Sequence, residues 1–341
     1  MASNMWGNTE TKFFYELSPD SILDCVQKLG ASPSGRCLQL NSLENRVYEI
    51  ELDTAFSHND MELEHLVVKF YRPGRWSKEQ IEEEHQFLFD LEVNDIPVIA
   101  PLRFDGTSLL FDEKTNLFFC VYPRKRGRTL GELSKDSLAQ IGRTLARIHL
   151  IGQTRKAKHR LKLDLATYGH SNLQTLLSTP HVPKEFLPSL ESSANSLLKT
   201  ITPLFENVQF QRIHGDCHLG NLIWRENEGF TFVDFDDMVM GPCVQDMWLL
   251  IPADGEEASE KRSHFLEGYE MFKEFNYGEL RLVEALRSLR YIHYAAWIAK
   301  RYDDPAFQYA FPHYKGPEYW SVFIQDLRTQ EYKIQEGTMY Y

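Results

Sequence analysis

The apolar residues of this chain change their spacing near Leu133, and this change limits the folds that the chain can adopt. Before that point, runs such as HLVVKFY and NLFFCVY are rich in β-branched and aromatic residues and lie between turn residues, a pattern that predicts strands. After it, apolar residues recur at the period of an α-helix, as in DSLAQIGRTLARIHLIG. We therefore predict an α+β protein in which a strand-rich part of roughly 120 residues precedes a mainly helical part.

Charge and composition argue against several classes of protein. The 341 residues carry a formal net charge of −12, which disfavours nucleic acid as a partner. The N-terminal stretch lacks the pattern of a signal peptide, and no apolar run approaches the length of a membrane span, so no membrane partner is expected. The five cysteines are scattered and form no C-x-x-C pair, which favours a reducing, cytoplasmic location.

The stretch IHGDCHLGNLIW concentrates chemically active side chains. His214 and His218 could bind a metal, but no third ligand is evident, and Gly215 and Gly220 disfavour the helix that would align the two rings. Cys217 could be a nucleophile, although a lone cysteine is more often a small buried residue. A third interpretation is that the stretch handles phosphate.

Residues farther along the chain favour the third interpretation. Asn221 lies five residues after Asp216, and Asp234 follows thirteen residues later at the end of the apolar strand in FVDFDD. Phosphoryl transfer needs a carboxylate that accepts the proton of the acceptor hydroxyl. It also needs oxygen ligands that hold Mg²⁺ against the phosphates of ATP. The two carboxylates and the carboxamide fit these roles.

The pattern H-G-D-x-x-x-x-N, followed by an apolar strand that ends in D-F-D, resembles the catalytic and metal-binding loops of the protein-kinase-like fold, in particular its aminoglycoside phosphotransferase and choline kinase branch. With NSLENRVYEI, VVKFYRPGRW, EEHQF, GPCVQDMW and DPAF, the chain from about Ser34 onward resembles the bacterial stress response kinase A family. The resemblance implies a bilobal protein-kinase-like fold, with an N-lobe over residues 1–121, a hinge over 122–128 and a helical C-lobe over 129–341.

The resemblance also implies roles for the residues of the two loops. Asp216 is the catalytic proton acceptor, and Asn221 and Asp234 hold Mg²⁺, which makes Asp234 a second catalytic residue. His214 packs and orients the loop. Asp246 in GPCVQDMW holds the catalytic loop together.

The turn that is implied to cover the nucleotide departs from the protein-kinase pattern, because the chain has no G-x-G-x-x-G. By resemblance, Ser42 in the turn NSLEN covers the phosphates, and the alternative of a surface turn with no ligand stays open. The backbone of Val121, Tyr122 and Pro123 is implied to meet the adenine. Asp236 is an auxiliary acid at most.

The family pattern predicts a lysine on the third strand that pairs with a glutamate on the next helix. Lys69 lies alone among apolar residues in LVVKFY, so its charge needs a partner if the strand is buried. Of the three adjacent acids at 82–84, only Glu84 shares a helix face with Ile81 and Leu88. We predict a Lys69–Glu84 pair, and the alternative is a lysine that extends its amine into solvent.

The motifs define the donor chemistry and leave the acceptor open. The resemblance favours an ATP- and Mg²⁺-dependent serine/threonine protein kinase of the bacterial stress response, a monomer that phosphorylates protein substrates and itself. The alternative is a small-molecule phosphotransferase for choline, an aminoglycoside or a related alcohol, although the acids that such a cationic acceptor requires cannot be placed. A nucleotide-binding pseudokinase scaffold is a third class, which the retained catalytic residues disfavour.

Overall fold

The computed structural model describes most of the chain, namely Phe14 and residues 17–59, 61–252 and 255–337. The chain divides into two compact units. The first comprises Met1–Gly131 and Gly220–Asp236, and the second comprises Glu132–Leu219 and Asp237–Tyr341.

The described residues contain both strands and helices throughout. The strands are β1 (Pro33–Gln39), β2 (Arg46–His58), β3 (Met61–Phe70), β4 (Leu110–Asp112), β5 (Leu117–Pro123), β6 (Gln211–Ile213), β7 (Leu222–Arg225), β8 (Gly229–Phe232) and β9 (Val239–Gly241). The α-helices are α1 (Pro19–Lys28), α2 (Lys78–Glu92), α3 (Lys135–Gly152), α4 (Ser171–Ser178), α5 (Leu187–Ile201), α6 (Val244–Leu250), α7 (Glu256–Tyr269), α8 (Val283–Arg301), α9 (Pro305–Ala310) and α10 (Pro317–Glu336). The predicted α+β class is confirmed.

A five-stranded antiparallel sheet in the order β1-β2-β3-β5-β4 dominates the first unit. On β3, Leu66, Val68 and Phe70 are buried in an apolar core. Because side chains alternate along a strand, Val67 and Lys69 point to the opposite face of the sheet. The sequence of β3 thus places Lys69 beside Val67 on the face opposite the apolar core.

Helix α2 starts at a capping box formed by Ser77 and Gln80. The Ser77 hydroxyl accepts a hydrogen bond from the Gln80 amide at 2.9 Å, and the Gln80 side chain accepts one from the Ser77 amide at 2.8 Å. This fixed start sets the rotation of the helix about its axis. Its buried face includes Ile81, Glu84 and Leu88.

The hairpin of β7 and β8 belongs to the first unit in the structure. The Phe232 amide donates to the Pro97 carbonyl at 2.8 Å, and Arg128 and Trp224 exchange backbone hydrogen bonds at 2.8 and 3.0 Å. These bonds explain why Gly220–Asp236 groups with the sheet, although the sequence placed it in a C-lobe. The lobe boundaries themselves stay a prediction.

The second unit is mainly helical. Helices α3 and α7 approach closely at two glycines, since a Cβ at Gly142 would lie 2.1 Å from the Phe265 carbonyl oxygen and one at Gly268 would lie 2.0 Å from that of Ala139. Strands β6 and β9 form a short antiparallel ladder, and the HGD motif follows β6 directly. None of the helices among the described residues has the length and apolar character needed to cross a membrane.

Candidate active site

The site residues predicted from the sequence are divided between the two units. The second unit contains Asp216. The first unit contains all the others, which are Ser42, Lys69, Glu84, Val121, Tyr122, Pro123, Asn221 and Asp234.

A cavity of about 250 Å³ in the first unit is lined by Val67 and Lys69, so it lies on the face of the sheet opposite the apolar core. Val121 points away from it into that core. The cavity walls combine apolar side chains with a few polar groups, which is typical of a small-ligand site. The predicted residues that line it are Ser42, Lys69, Tyr122, Pro123 and Asp234.

Lys69 is buried and has three carboxylates around its amine. Its Nζ lies 2.8 Å from Oδ1 of Asp236, 3.6 Å from Oε1 of Glu84 and 3.7 Å from Oδ1 of Asp234. Burial alone would lower the pKa of Lys69, but the carboxylates of Asp236, Glu84 and Asp234 outweigh it and raise the pKa above its ordinary value. The amine is therefore charged and turned inward, next to Glu84 as expected, with Asp236 as its nearest acid.

Asp236 bridges two cations. Its second carboxylate oxygen, Oδ2, contacts Nη1 of Arg75, and the same guanidinium nitrogen lies 3.7 Å from Oε2 of Glu44. The Asp236 side chain is only 4% exposed, so its charge depends on these partners for compensation. The Asp234 side chain is 58% exposed. The two acids of D-F-D thus have different surroundings, and Arg75 is a site residue that the motifs did not single out.

The turn between β1 and β2 is held by an arginine from the end of β3. The Arg72 side chain donates to the carbonyl oxygens of Glu44 at 2.8 Å and of Leu43 at 3.0 Å. The Ser42 hydroxyl accepts from the Asn45 amide at 3.2 Å. A hydroxyl that accepts at its oxygen keeps a proton to donate, so Ser42 can still serve a phosphate oxygen at the cavity wall.

Asn221 and Asp234 are the two residues that the sequence resemblance implies as oxygen ligands of a divalent cation. The Val233 amide donates to the Asn221 carbonyl at 3.0 Å, which ties Asn221 to the residue before Asp234. Asp234 has a φ of +59°, a left-handed conformation that aspartate adopts more readily than most residues. Carboxylate and carboxamide oxygens are hard donors, so the chemistry of this pair fits Mg²⁺.

In the second unit, the buried Asp246 organises the loop that carries the H-G-D motif. Its Oδ2 accepts from the His214 amide at 2.9 Å and its Oδ1 from the Gly215 amide at 2.8 Å. Nε2 of His149 lies 3.1 Å from Oδ2 of the same carboxylate, and Nδ1 of His149 lies 2.8 Å from the Tyr269 hydroxyl. Asp246 therefore holds the backbone just before the catalytic motif's aspartate, as the sequence predicted.

Gly215 is required by both its conformation and its space. Its φ is +86°, and a Cβ at this position would lie 2.2 Å from the Asp237 carbonyl oxygen. No side chain fits there without moving the backbone. The glycine of H-G-D therefore allows the loop to pass closely over the segment that follows D-F-D.

Asp216 lies next to one arginine and two histidines. Nη1 of Arg290 on α8 donates to Oδ1 of Asp216 at 2.9 Å, and Nε2 of His218 lies 3.4 Å from its Oδ2. Burial alone would raise the pKa of Asp216, but the hydrogen bond from His218 and the charges of Arg290, His218 and His214 lower it below its usual range. Asp216 is thus ionised at neutral pH. Arg290 had no signal in the sequence.

The other two interpretations of the motif are not supported. Cys217 is fully buried, and burial raises the pKa of its thiol well above its ordinary value, so the reactive thiolate is disfavoured. Among the described residues, no group of three or more histidine, cysteine, aspartate or glutamate side chains could hold a metal ion. A metal centre built on His214 and His218 therefore lacks its third ligand.

Comparison of sequences finds relatives over nearly the whole chain. Residues 37–283 match the model of the phosphotransferase enzyme family. Stress response kinase A of Escherichia coli (strain K12) is 35% identical over 339 residues, which cover 98% of this chain and 100% of that protein. A protein of Salmonella typhimurium (strain LT2) named serine/threonine protein kinase RdoA is 36% identical over 96% of this chain and 98% of its own length.

Comparison with solved structures identifies kinases that share the fold of this chain. An amicoumacin kinase in complex with AMP-PNP, Ca²⁺ and its ligand superposes with a TM-score of 0.69 at 19% identity, covering 98% of this chain and 97% of that one. A spectinomycin phosphotransferase in complex with ADP and spectinomycin gives a TM-score of 0.62 at 13% identity, over 92% and 98% of the two chains. The predicted kinase-like α+β fold is confirmed. The chain belongs to the phosphotransferase enzyme family and, within it, to the family of stress response kinase A.

Proposed function

We propose that this chain is an ATP- and Mg²⁺-dependent serine/threonine protein kinase of the bacterial stress response, which phosphorylates protein substrates and itself. The observation that carries the nucleotide part is the charged Lys69 at the wall of the cavity, buried and fixed by Glu84 and Asp236. A largely apolar cavity with a buried, fixed cation in its wall suits a nucleotide, whose base has apolar faces and whose phosphates are anionic.

In this proposal the cavity residues divide the recognition of ATP. Lys69 contacts phosphate oxygens and Glu84 positions it, while Ser42 and the amides of its turn cover the phosphates. The backbone of the hinge segment meets the adenine. Tyr122 and Pro123 line the cavity, whereas the Val121 carbonyl already accepts from the Leu102 amide at 2.7 Å, so we place adenine binding mainly on the two residues after Val121.

Asn221 and Asp234 are the residues that would hold Mg²⁺. When bound, such an ion neutralises charge on the phosphates and orients them for transfer. We assign the metal to Asp234 rather than Asp236 because Asp234 lines the cavity and is exposed, whereas Asp236 is occupied by Lys69 and Arg75.

Asp216 would accept the proton of the acceptor hydroxyl. Its lowered pKa keeps it ionised, which is the state that a base requires, at the cost of basicity. A weak base is adequate for phosphoryl transfer because the transition state is loose and little bond to the nucleophile has formed.

A protein acceptor is supported by the relative that is named a serine/threonine protein kinase and is 36% identical. Two structural neighbours are named for the small molecules amicoumacin and spectinomycin, but at 19% and 13% identity their likeness shows the fold alone. The proposal includes a monomeric, cytoplasmic protein, and the five free cysteines support a reducing location.

The test is incubation with labelled ATP and Mg²⁺ in three arms: the protein alone, with a generic protein substrate, and with a panel of amino alcohols. Label on serine or threonine is expected, and the Asp216→Asn variant is the matched control, in which the rate of transfer should fall by about 10²–10⁴. Label only on a small alcohol would replace the proposal with the small-molecule alternative. Nucleotide binding without turnover would indicate a scaffold.

A further inference from the structure

Helix α8 brings a cation into direct contact with the proposed base. Nη1 of Arg290 lies 2.9 Å from Oδ1 of Asp216, with the arginine side chain 38% and the aspartate side chain 23% exposed. A pair that is partly removed from water is screened less than a surface pair. One turn earlier on the same helix, Arg287 is engaged elsewhere, 3.3 Å from Oε1 of Glu284 and 2.9 Å from the Pro252 carbonyl oxygen.

This contact changes what the base attracts. A lone carboxylate favours an acceptor that carries an ammonium beside its hydroxyl, as in an amino alcohol or a lysine-flanked serine. Because the charges of Asp216 and Arg290 sum to zero, the pair as a whole does not attract an ammonium-bearing acceptor as a lone carboxylate would. Two like charges about 5 Å apart at an effective dielectric constant of about 20 disfavour each other by roughly 300-fold in binding. An ammonium that lies nearer the guanidinium of Arg290 than the carboxylate of Asp216 is therefore disfavoured, while an acidic neighbour of the hydroxyl is accepted there.

We infer that Arg290 is a specificity-determining residue that restricts the acceptor to a serine or threonine hydroxyl with no cation beside it and excludes amino alcohols. The inference rests on the proposed kinase function and names its substrate class. It gives a physical reason why a chain with this fold can differ in acceptor from a kinase of cationic small molecules.

The transfer step is compatible with the contact. Oδ1 of Asp216 is held by Arg290, so Oδ2, on the side of His218, is the oxygen that takes the hydroxyl proton. The hydroxyl oxygen forms its bond to the γ-phosphorus as the bond from that phosphorus to the bridging oxygen of ADP breaks. ADP leaves with that electron pair, and the proton on Asp216 then passes to solvent.

The experiment compares ratios of kcat/KM, because a uniform loss of activity leaves a ratio unchanged. One pair of acceptors is a serine peptide with lysine or glutamate beside the serine, and the other is 2-aminoethanol and 1-propanol. In the full-length protein, Arg290→Gln should raise the cationic-to-non-cationic ratio by roughly 10- to 100-fold, and Arg290→Lys should keep it near that of the unmodified protein. The matched control is Arg301→Gln, which removes the same charge about 16 Å farther along α8.

Each outcome decides the inference. A ratio that is the same before and after Arg290→Gln overturns it, and so does an equal change in Arg301→Gln. If phosphate reaches only the small alcohols, the protein-kinase proposal fails while the alcohol pair still tests Arg290. If the unmodified protein prefers 2-aminoethanol to 1-propanol, the inference fails whatever the peptides show.

Discussion

Two aspartates that stand two residues apart in FVDFDD have opposite surroundings. Asp236 is buried between Lys69 and Arg75, whereas Asp234 is exposed and adopts a left-handed backbone conformation. A buried carboxylate between two cations keeps those cations in place, and an exposed one can bind a ligand. We therefore expect substitution of Asp234 to affect ligand binding and substitution of Asp236 to affect the geometry of the cavity.

The first prediction separates Asp216 from Asp234. Asp216→Asn removes the proposed proton acceptor but keeps the shape of the side chain, so turnover should fall by about 10²–10⁴ while nucleotide binding with Mg²⁺ stays nearly unchanged. Asp234→Asn removes a charge from the proposed metal site, so nucleotide binding should weaken and activity should partly recover as Mg²⁺ is raised. Both predictions are measured by following nucleotide binding and turnover of each variant as the Mg²⁺ concentration is varied. Rescue of Asp216→Asn by Mg²⁺ would mean that the two roles are reversed.

The second prediction concerns the partners of Lys69. Glu84→Gln leaves Asp236 as the nearest acid, and the amine should then be drawn from the phosphates toward it, so kcat/KM for ATP should fall by roughly tenfold. Glu83→Gln is the control, since Glu83 is not on the buried face of α2. Steady-state kinetics with varied ATP distinguish the two variants. Equal losses of kcat/KM in the two variants would show that the buried face of α2 does not determine which glutamate pairs with Lys69.

At the scale of elements, the third prediction addresses the catalytic loop. Asp246→Asn replaces one of two acceptor oxygens with an N–H donor that faces the backbone N–H of His214 or Gly215. Losing a charge-assisted bond in a buried site should lower the free energy of unfolding by about 2–3 kcal/mol and reduce kcat. Denaturant unfolding and turnover are the measurements. Asp303→Asn, at a side chain that is 94% exposed, should change stability by less than about 0.5 kcal/mol.

Elements whose signals are local could be predicted from the sequence. The capping box of Ser77 and Gln80 set the start of α2, and with it the face that buries Glu84. Strand β2 continues to His58, past a register shift between Glu51 and Phe56, because its pairing with β3 resumes there and includes polar residues such as Ser57 and Glu62. Strand pairing of this kind depends on a partner strand and leaves little pattern in the strand itself.

Contacts between distant parts of the sequence were the ones that could not be predicted. Arg290 follows Asp216 by 74 residues on an otherwise ordinary helix, and no local spacing marks it as a partner. The motif also does not show that Asp236 is buried while Asp234 is exposed, because this difference depends on where the side chains of Lys69 and Arg75 point. Spacing indicates which residues are candidates for chemistry, and packing determines what each one contacts.

At the scale of the whole molecule, the stability of the second unit is linked to pH through His149. This histidine is fully buried between Asp246 and Tyr269. Burial alone would lower the pKa of His149, but Cys243 and Asp246 outweigh it and raise the pKa to about 10. A folded-state pKa above that of the unfolded chain means that folding takes up a proton between the two values.

The fourth prediction follows from the sign of that linkage. The stability contributed by His149 is fully present below its unfolded pKa of about 6.5 and is lost as the pH rises toward 10. The glutamine of His149→Gln cannot be protonated, so the variant should have a clearly lower free energy of unfolding than the unmodified chain at pH 6. The difference between the two free energies should be smaller at pH 9.5. Urea unfolding midpoints of both proteins at both pH values measure this difference. A gap that stays constant or widens with pH would show that His149 is neutral in the folded protein and that Asp246 holds the loop without a cation beside it.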